Sequence, residues 1–538
     1  MSEFNLPRLA TDAHPEFVDA ATCKRWLEDL PLANVAQAQR QLLAQLKEFN
    51  RFPAPAAKRL AALEAVREAV NFVQIEQAKR FSSRALPMAD AEATVFDRTI
   101  GLWEEMAIGY LRCVEAAAGG ESGMQSPAAL ACQRVLAYIG LRMFHFHRAY
   151  REVPAELWRE LHRAYAAAET LGVADKGVKD YLNRDVHETS PRIAYLRAVL
   201  MAAAAPRELG QRQLTFVAYL LERWAGKVEI GRTPVRDARV PPLLVDLRGV
   251  TGAGPAEGKP AEPRFLSMSK LAVSLRNRIL LLRKGESPAR LGLGEDCVQP
   301  SCEQLLVLLY NQWCRPRPPQ DDERRRASDP IEVCADLAAI HYLISGGPFR
   351  PPGGAATREL THKEREELET FGRVVSRDEA ARDSARAAET ESWVLENLGT
   401  HEARIARRGA STGKRYVHGQ LIGVRPAQGR NLMLGHVRWL VCAANGDLQA
   451  GVRLLHGQAV PMAARAAGIG PGTDEWLPAL SLTAVPALNS PPSLVLPAGW
   501  YKPQRVIEVC IDSAVRVRLK EVLDRGTDFE RVAYDLVS

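Results

Sequence analysis

In the stretch 373–408, three pairs of arginines stand four residues apart: Arg373 and Arg377, Arg382 and Arg386, and Arg404 and Arg408. A guanidinium pairs bidentately with phosphate oxygens and stacks on purine faces, so two of them one turn apart can clamp an organic phosphate. The same spacing also fits the solvated face of a helix, and Glu364, Glu366 and Glu367 stand just ahead of Arg373 to balance it. Both readings stay open on the residues alone.

Other chemistry is excluded more firmly. Gly258-Lys259 invites a phosphate-loop reading, but Ala253 stands where that motif needs its first glycine, and Pro260 replaces the Ser or Thr after the lysine. Proline also lacks the N–H that a phosphate cradle uses. The Gly468-Ile-Gly-Pro-Gly-Thr run fails likewise. His145 and His147 look like a metal pair, yet positions i and i+2 of a helix point to different sides, so a core histidine is the better reading. Cys297, Cys302 and Cys314 come nearest to a cysteine cluster, but without a Cys-x-x-Cys pair they do not spell a zinc site. No Ser/His/Asp order or carboxylate pair stands out, so the chain reads as a non-enzymatic protein with no metal or cofactor.

The elements that must position the arginines divide the chain. Residues 20–230 read as helix after helix, with apolar faces over 36–49 and 54–81 and further helices at 90–118, 127–150, 154–171, 176–182, 190–204 and 209–225. Residues 128–171 resemble a tetratricopeptide-like helix pair, although no fixed repeat can be traced. Such helical-hairpin arrays offer surfaces for a protein partner. A mixed, mainly helical extension covers 231–345, with a strand at 241–248, a strand–helix at 264–284, and helices at 299–314 and 330–345. The Gly/Pro run 346–354 opens a linker, 346–390, that carries the first arginine pairs.

Beyond it the pattern changes to period two. Trp393, Leu395, Ala403, Ile405, Val417, Leu421, Val424, Leu434, Val437, Trp439, Leu448 and Val452 mark half-buried strands. Asn445-Gly446 separates a predicted hairpin of 432–442 and 447–455, because Asn-Gly readily takes the positive φ values of a tight turn. A β module is therefore expected over 391–465, and a second small β unit over 466–538, where 493–496, 505–511, 514–519 and 529–536 alternate as strands. The expected fold class is α+β and multidomain: a large helical part followed by one or two antiparallel β-barrels.

The succession Trp393-x-x-x-Asn397, G-x-L-I-G-V-R at 419–425, L-G-H-V-R-W-L at 434–440 and L-Q-A-G-V-R-L-L at 448–455 resembles a bacterial PilZ domain over roughly 80 residues. The resemblance implies a small β-barrel that binds cyclic di-GMP through an Arg-x-x-x-Arg segment ahead of it and an Asp/Asn-x-Ser-x-x-Gly turn. Carried onto this chain, the ligand residues are Arg373, Arg377, Asn397 and Gly399. Two positions depart from the pattern: Gly399 replaces Ser, and Glu402 replaces Gly and brings a carboxylate that repels a dianion. These departures also fit a barrel that has become a protein-interaction module without nucleotide.

Composition sets the outer bounds. Hydrophobic residues at 46% and charged residues at 25% are ordinary for a soluble protein. A net charge of +7, with Arg324–Arg326 offset by Asp321–Glu323, gives nucleic-acid binding little support. Nine scattered cysteines point to reduced thiols. No secretory signal opens the chain and no apolar run reaches the ~18 residues of a membrane span, so a cytoplasmic location is expected.

Overall fold

The computed structural model describes residues 4, 6–235, 239–256, 258–294, 297–299, 301–315, 325–352, 366, 389–409, 413–426, 429, 431–467 and 475–537. The chain divides into two compact units, Met1–Arg84 with Met88–Gln320 and Ala85–Pro87 with Asp321–Ser538.

The first unit is built on helices α1 (Ala20–Glu28), α2 (Val35–Arg51), α3 (Ala56–Ala78), α4 (Asp90–Ala118), α5 (Ala128–Arg148) and α6 (Ala155–Thr170). Local chemistry sets their starts: the Asp19 carboxylate accepts from Thr22 N at 2.9 Å, and Pro154 precedes the first turn of α6. On α2 the stripe Ala38, Leu42, Leu46, Phe49 is fully buried, as its 3–4 spacing predicts. A two-stranded ribbon follows, β1 (Val178–Lys179) with β2 (Glu188–Thr189), and then α7 (Pro191–Ala203) and α8 (Gln211–Trp224). The sequence pattern predicts a helix at 176–182, and a buried ion network explains the difference. Asp180 accepts from Arg67 at 2.7 Å and lies 3.2 Å from Arg134, which pairs in turn with Glu64 at 2.9 Å. Burial disfavours the Asp180 charge, but the two guanidinium groups outweigh it and hold its pKa below the ordinary value. The backbone here follows this pairing rather than its local propensity.

The rest of the unit is a four-stranded sheet ordered β3-β6-β4-β5, where β3 is Glu229–Gly231, β4 Leu243–Asp246, β5 Gly254–Pro255 and β6 Pro263–Ser267, followed by α9 (Ser269–Arg283) and α10 (Ser301–Cys314). Cys297 and Cys302 are joined in a disulfide, Cα to Cα 5.2 Å, which corrects the expectation that every cysteine is a free thiol. The other seven form no disulfide. Among the described residues no helix is long and apolar enough to cross a membrane.

The second unit holds two closed six-stranded antiparallel barrels. The first is ordered β10-β11-β12-β9-β8-β7. Its strands are β7 (Arg325–Ala335), β8 (Glu391–Leu398), β9 (Glu402–Arg407), β10 (Leu421–Pro426), β11 (Met433–Cys442) and β12 (Leu448–Leu455), with helix α11 (Leu337–Ser345) inserted after β7. The hairpin β11–β12 is the one that Asn445-Gly446 predicts. Where the sequence pattern gives a helix over 330–345, the chain forms a strand to Ala335, turns at Asp336 with φ 71°, and only then becomes helical. Asp336 caps the new helix by accepting from Ala339 N at 2.8 Å, and Gly346, at φ 77°, ends it. The expected linker 346–390 therefore lies between two paired strands of one barrel, since β7 pairs with β8 beyond it.

Two glycines of the first barrel explain the G-x-V-x-W and G-V-x-L pattern. Gly451 stands directly opposite Trp439 in the register, and a β-carbon at 451 would lie 2.0 Å from the indole Nε1. At Gly435 it would lie 2.5 Å from Val452 Cγ1. The bare backbone is what lets the large ring lie flat across the sheet.

The second barrel is ordered β13-β14-β15-β18-β17-β16. It runs through β13 (Ala459–Ala466), β14 (Leu477–Leu482), β15 (Ser493–Pro497), β16 (Val506–Cys510), β17 (Ala514–Arg525) and β18 (Phe529–Leu536), so it starts ahead of the expected 466. Along part of the seam the barrels share an apolar core, in which Leu337 and Ile340 of α11 meet Leu421, Leu434 and Leu455 of the first and Leu480, Leu482, Val495 and Phe529 of the second.

Candidate ligand site

Asn397 lies at the end of β8, paired in register with Arg404 of β9 and Arg326 of β7, where the ladder slips by a residue. Gly399 N donates to Glu402 O at 2.8 Å and closes a tight turn over Thr400 and His401. A β-carbon at 399 would meet only Glu402 O, at 3.5 Å, and φ there is not positive, so a serine fits and the glycine removes a hydroxyl rather than relieving strain. Glu402 forms an ion pair with Arg438, which neutralises the carboxylate that the sequence places at this turn. The repulsion expected of it is thereby reduced.

Arg373 and Arg377 lie outside the described residues, as do Arg382 and Arg386. The remaining pair, Arg404 and Arg408, is described and occupied. Arg404 lies 2.8 Å from Glu396 and sits over the Trp439 ring at 5.8 Å; Arg408 bonds Asp447 at 2.5 Å and approaches Glu396 at 3.7 Å. Arg404 lies on β9 and Arg408 one residue past its end, and both are matched by carboxylates. His145 is 4% exposed and packed on the rings of Phe81 and Trp103, a core histidine as expected. Among the described residues no group of three or more His, Cys, Asp or Glu is placed to hold a metal ion.

The turn that carries Asn397 and Gly399 also forms one wall of a cleft of about 470 Å³ inside the second unit. His401 and Glu402 come from that turn, Arg438, Arg453 and His456 from β11, β12 and its end, and Asn489, Ser490, Asp524 and Arg531 from the second barrel. His401 Nδ1 and His456 Nε2 are 2.8 Å apart, so the two rings share one proton in a hydrogen bond. Burial, then the proximity of His401, Arg531 and Arg453, pushes the His456 pKa below its ordinary value. Arg531, 6% exposed, donates Nε to Ser493 Oγ at 2.9 Å and Nη2 to Ser490 Oγ at 2.6 Å, and its Nη1 lies 3.2 Å from Asp524. The same Asp524 is 4.0 Å from Arg453. Sequence reasoning misses these residues because they are spread from 401 to 531 and share no spacing.

The second unit thus presents an arginine-lined cleft within a pair of antiparallel six-stranded barrels, and the first is mainly helical. Residues 21–235 match a family described as the cyclic-di-GMP receptor FimW, N-terminal domain, and residues 462–537 match the FimW C-terminal beta-barrel domain. The second match coincides with the second barrel. The chain is also 23% identical over 533 residues to the cyclic-di-GMP receptor FimW of Pseudomonas aeruginosa, an alignment that covers 90% of this chain and 86% of that protein. The likeness thus extends to the helical part and is not confined to the C-terminal barrels. It carries the FimW description and not that of PilZ.

Proposed function

We propose that this protein is a cytoplasmic, non-enzymatic bacterial regulator that binds cyclic di-GMP through its β unit and passes the signal to a protein partner through its helical unit. The observation that carries this reading is the likeness to a cyclic-di-GMP receptor along nearly the whole chain. The first barrel supports a PilZ-type site: its six antiparallel strands place Asn397 and Gly399 at one rim, with Arg373 and Arg377 in the segment leading into β8. In this arrangement the arginines take the phosphates, and Asn397 offers an amide to a base edge. Calorimetry with cyclic di-GMP on the wild type and on Arg373→Ala/Arg377→Ala tests it. Binding by the wild type that falls at least about tenfold in the double variant is expected, since losing charge-assisted phosphate contacts costs on the order of 1.5–3 kcal/mol.

A second reading is favoured by one specific observation, the Gly399 and Glu402 departures at the turn. Here the barrel is an interaction module that has lost its nucleotide. A stable protein partner recovered with the full chain, together with no cyclic di-GMP binding, would decide for it.

A further inference from the structure

The seam between the two barrels is built in two contrasting ways. Where α11 lies, leucines and isoleucine from three elements close it into a dry core. At the cleft, the same two barrels leave about 470 Å³ open and line it with charged and hydrogen-bonding groups. A concave space of ligand size lined by polar and charged groups is where a binding site is first looked for.

We propose that this cleft is a phosphate-ester site, with Arg453 and Arg531 as the phosphate anchors. It deepens the cyclic di-GMP reading, on which it rests for the nucleotide but not for the existence of an anion site. Three features carry it. First, the charges do not balance: of the lining side chains, Arg438 and Glu402 neutralise one another at the rim, while the single Asp524 faces both Arg453 and Arg531. One guanidinium charge is left over among the lining side chains, and a concave wall of net positive charge favours an anion.

Second, the anchor is preorganised. Arg531 is nearly fully buried and held by Ser490, Ser493 and Asp524, so three of its five N–H donors fix the plane of a guanidinium that lines the cleft. Arg453, by contrast, is 58% exposed and meets Asp524 only at 4.0 Å, the limit of an ion pair. It can turn to a ligand at little cost. Third, the same lining offers groups suited to a nucleobase: Leu454 and Leu488 give apolar surface, and Asn489, in the left-handed conformation at φ 51°, brings an amide with both donor and acceptor.

The test uses the full chain and two probes, cyclic di-GMP and inorganic pyrophosphate, each titrated calorimetrically into the wild type, Arg453→Gln and Arg373→Ala/Arg377→Ala. Arg453 is chosen because its exposed side chain can be replaced without disturbing the barrel, whereas an Arg531 variant risks unfolding it. Wild-type binding of at least one probe that weakens about tenfold or more in R453Q is the expected result. Pyrophosphate binding that depends on Arg453, with no cyclic di-GMP binding, keeps the cleft and sinks the nucleotide reading. Cyclic di-GMP binding that is lost in the 373/377 variant, with R453Q equal to wild type for both probes, sinks the cleft and keeps the reading. If the wild type binds neither probe, both fall.

Discussion

His145 makes the helical unit acid-sensitive by a calculable amount. Its ring is 4% exposed, its Nδ1 has no hydrogen-bond partner, and burial followed by the nearby Arg148 charge pushes its pKa from 6.5 down to about 3. In the folded chain the ring therefore stays neutral at pH 5, while in the unfolded chain it takes up a proton as pH falls through 6.5. The neutral form's stability is fully present above that value and drains away on acidification, levelling off below pH 3. At pH 5 the unfolded state lies 1.5 pH units below the unfolded pKa, and at about 1.36 kcal/mol per unit the loss is about 2 kcal/mol relative to neutral pH. Urea denaturation followed by circular dichroism at pH 7.5 and pH 5.0, on the wild type and on His145→Gln, measures it. The variant is less stable at both pH values, but its loss on acidification is smaller than that of the wild type by about 2 kcal/mol. Carboxylates that titrate in the same range are common to both proteins and cancel in the comparison. Equal losses would refute the reasoning, because they would mean that His145 is protonated alike in the folded and unfolded chain.

Gly451→Ala puts a methyl 2.0 Å from the Trp439 ring and is expected to lower stability by about 2–3 kcal/mol or more, read as an earlier thermal transition with a disturbed tryptophan signal near 290 nm. A melting curve superposable on that of the wild type would show that the indole is free to move aside. Arg134→Met removes a 3%-exposed guanidinium that serves both the half-buried Glu64 and the buried Asp180, leaving the latter under-compensated at a cost of about 3 kcal/mol. Replacing Glu64 by Gln in that background restores part of the loss, and a double variant no more stable than the single one would argue against a shared network.

The hairpin of the first barrel is legible because Asn445-Gly446 and the Trp439–Gly451 pairing are local in sequence. The strand β7 is not, since Ile331 to Ile344 form one apolar stretch, and only the backbone turn at Asp336 divides it into strand and helix. Strands β13 and β14 were hidden by Pro461 and Pro478. Each proline stands where its strand is paired on one side only: β16 joins β13 from Ala463 onward, and β15 joins β14 from Leu480 onward, so neither missing N–H breaks a ladder. The cleft was illegible for a different reason. Its residues come from six places between 401 and 531 that only the closure of both barrels brings together. The arginine spacing that draws attention in the sequence leads, where it is described, to Arg404 on β9 and Arg408 just past it, both already matched by carboxylates.

Closing the first barrel by joining β7 to β10 sets a timetable for synthesis. Ala335 pairs with Ile422, so β7 leaves the ribosome more than 80 residues before its closing partner exists. At about 5–20 residues per second this wait lasts roughly 5–20 s, during which the strand presents unpaired N–H and C=O groups to the surroundings. Nascent chains of this protein are thus most exposed to misassembly in the interval between the emergence of β7 and that of β10. A slowed ribosome there would lengthen the hazard without changing a single contact of the finished fold.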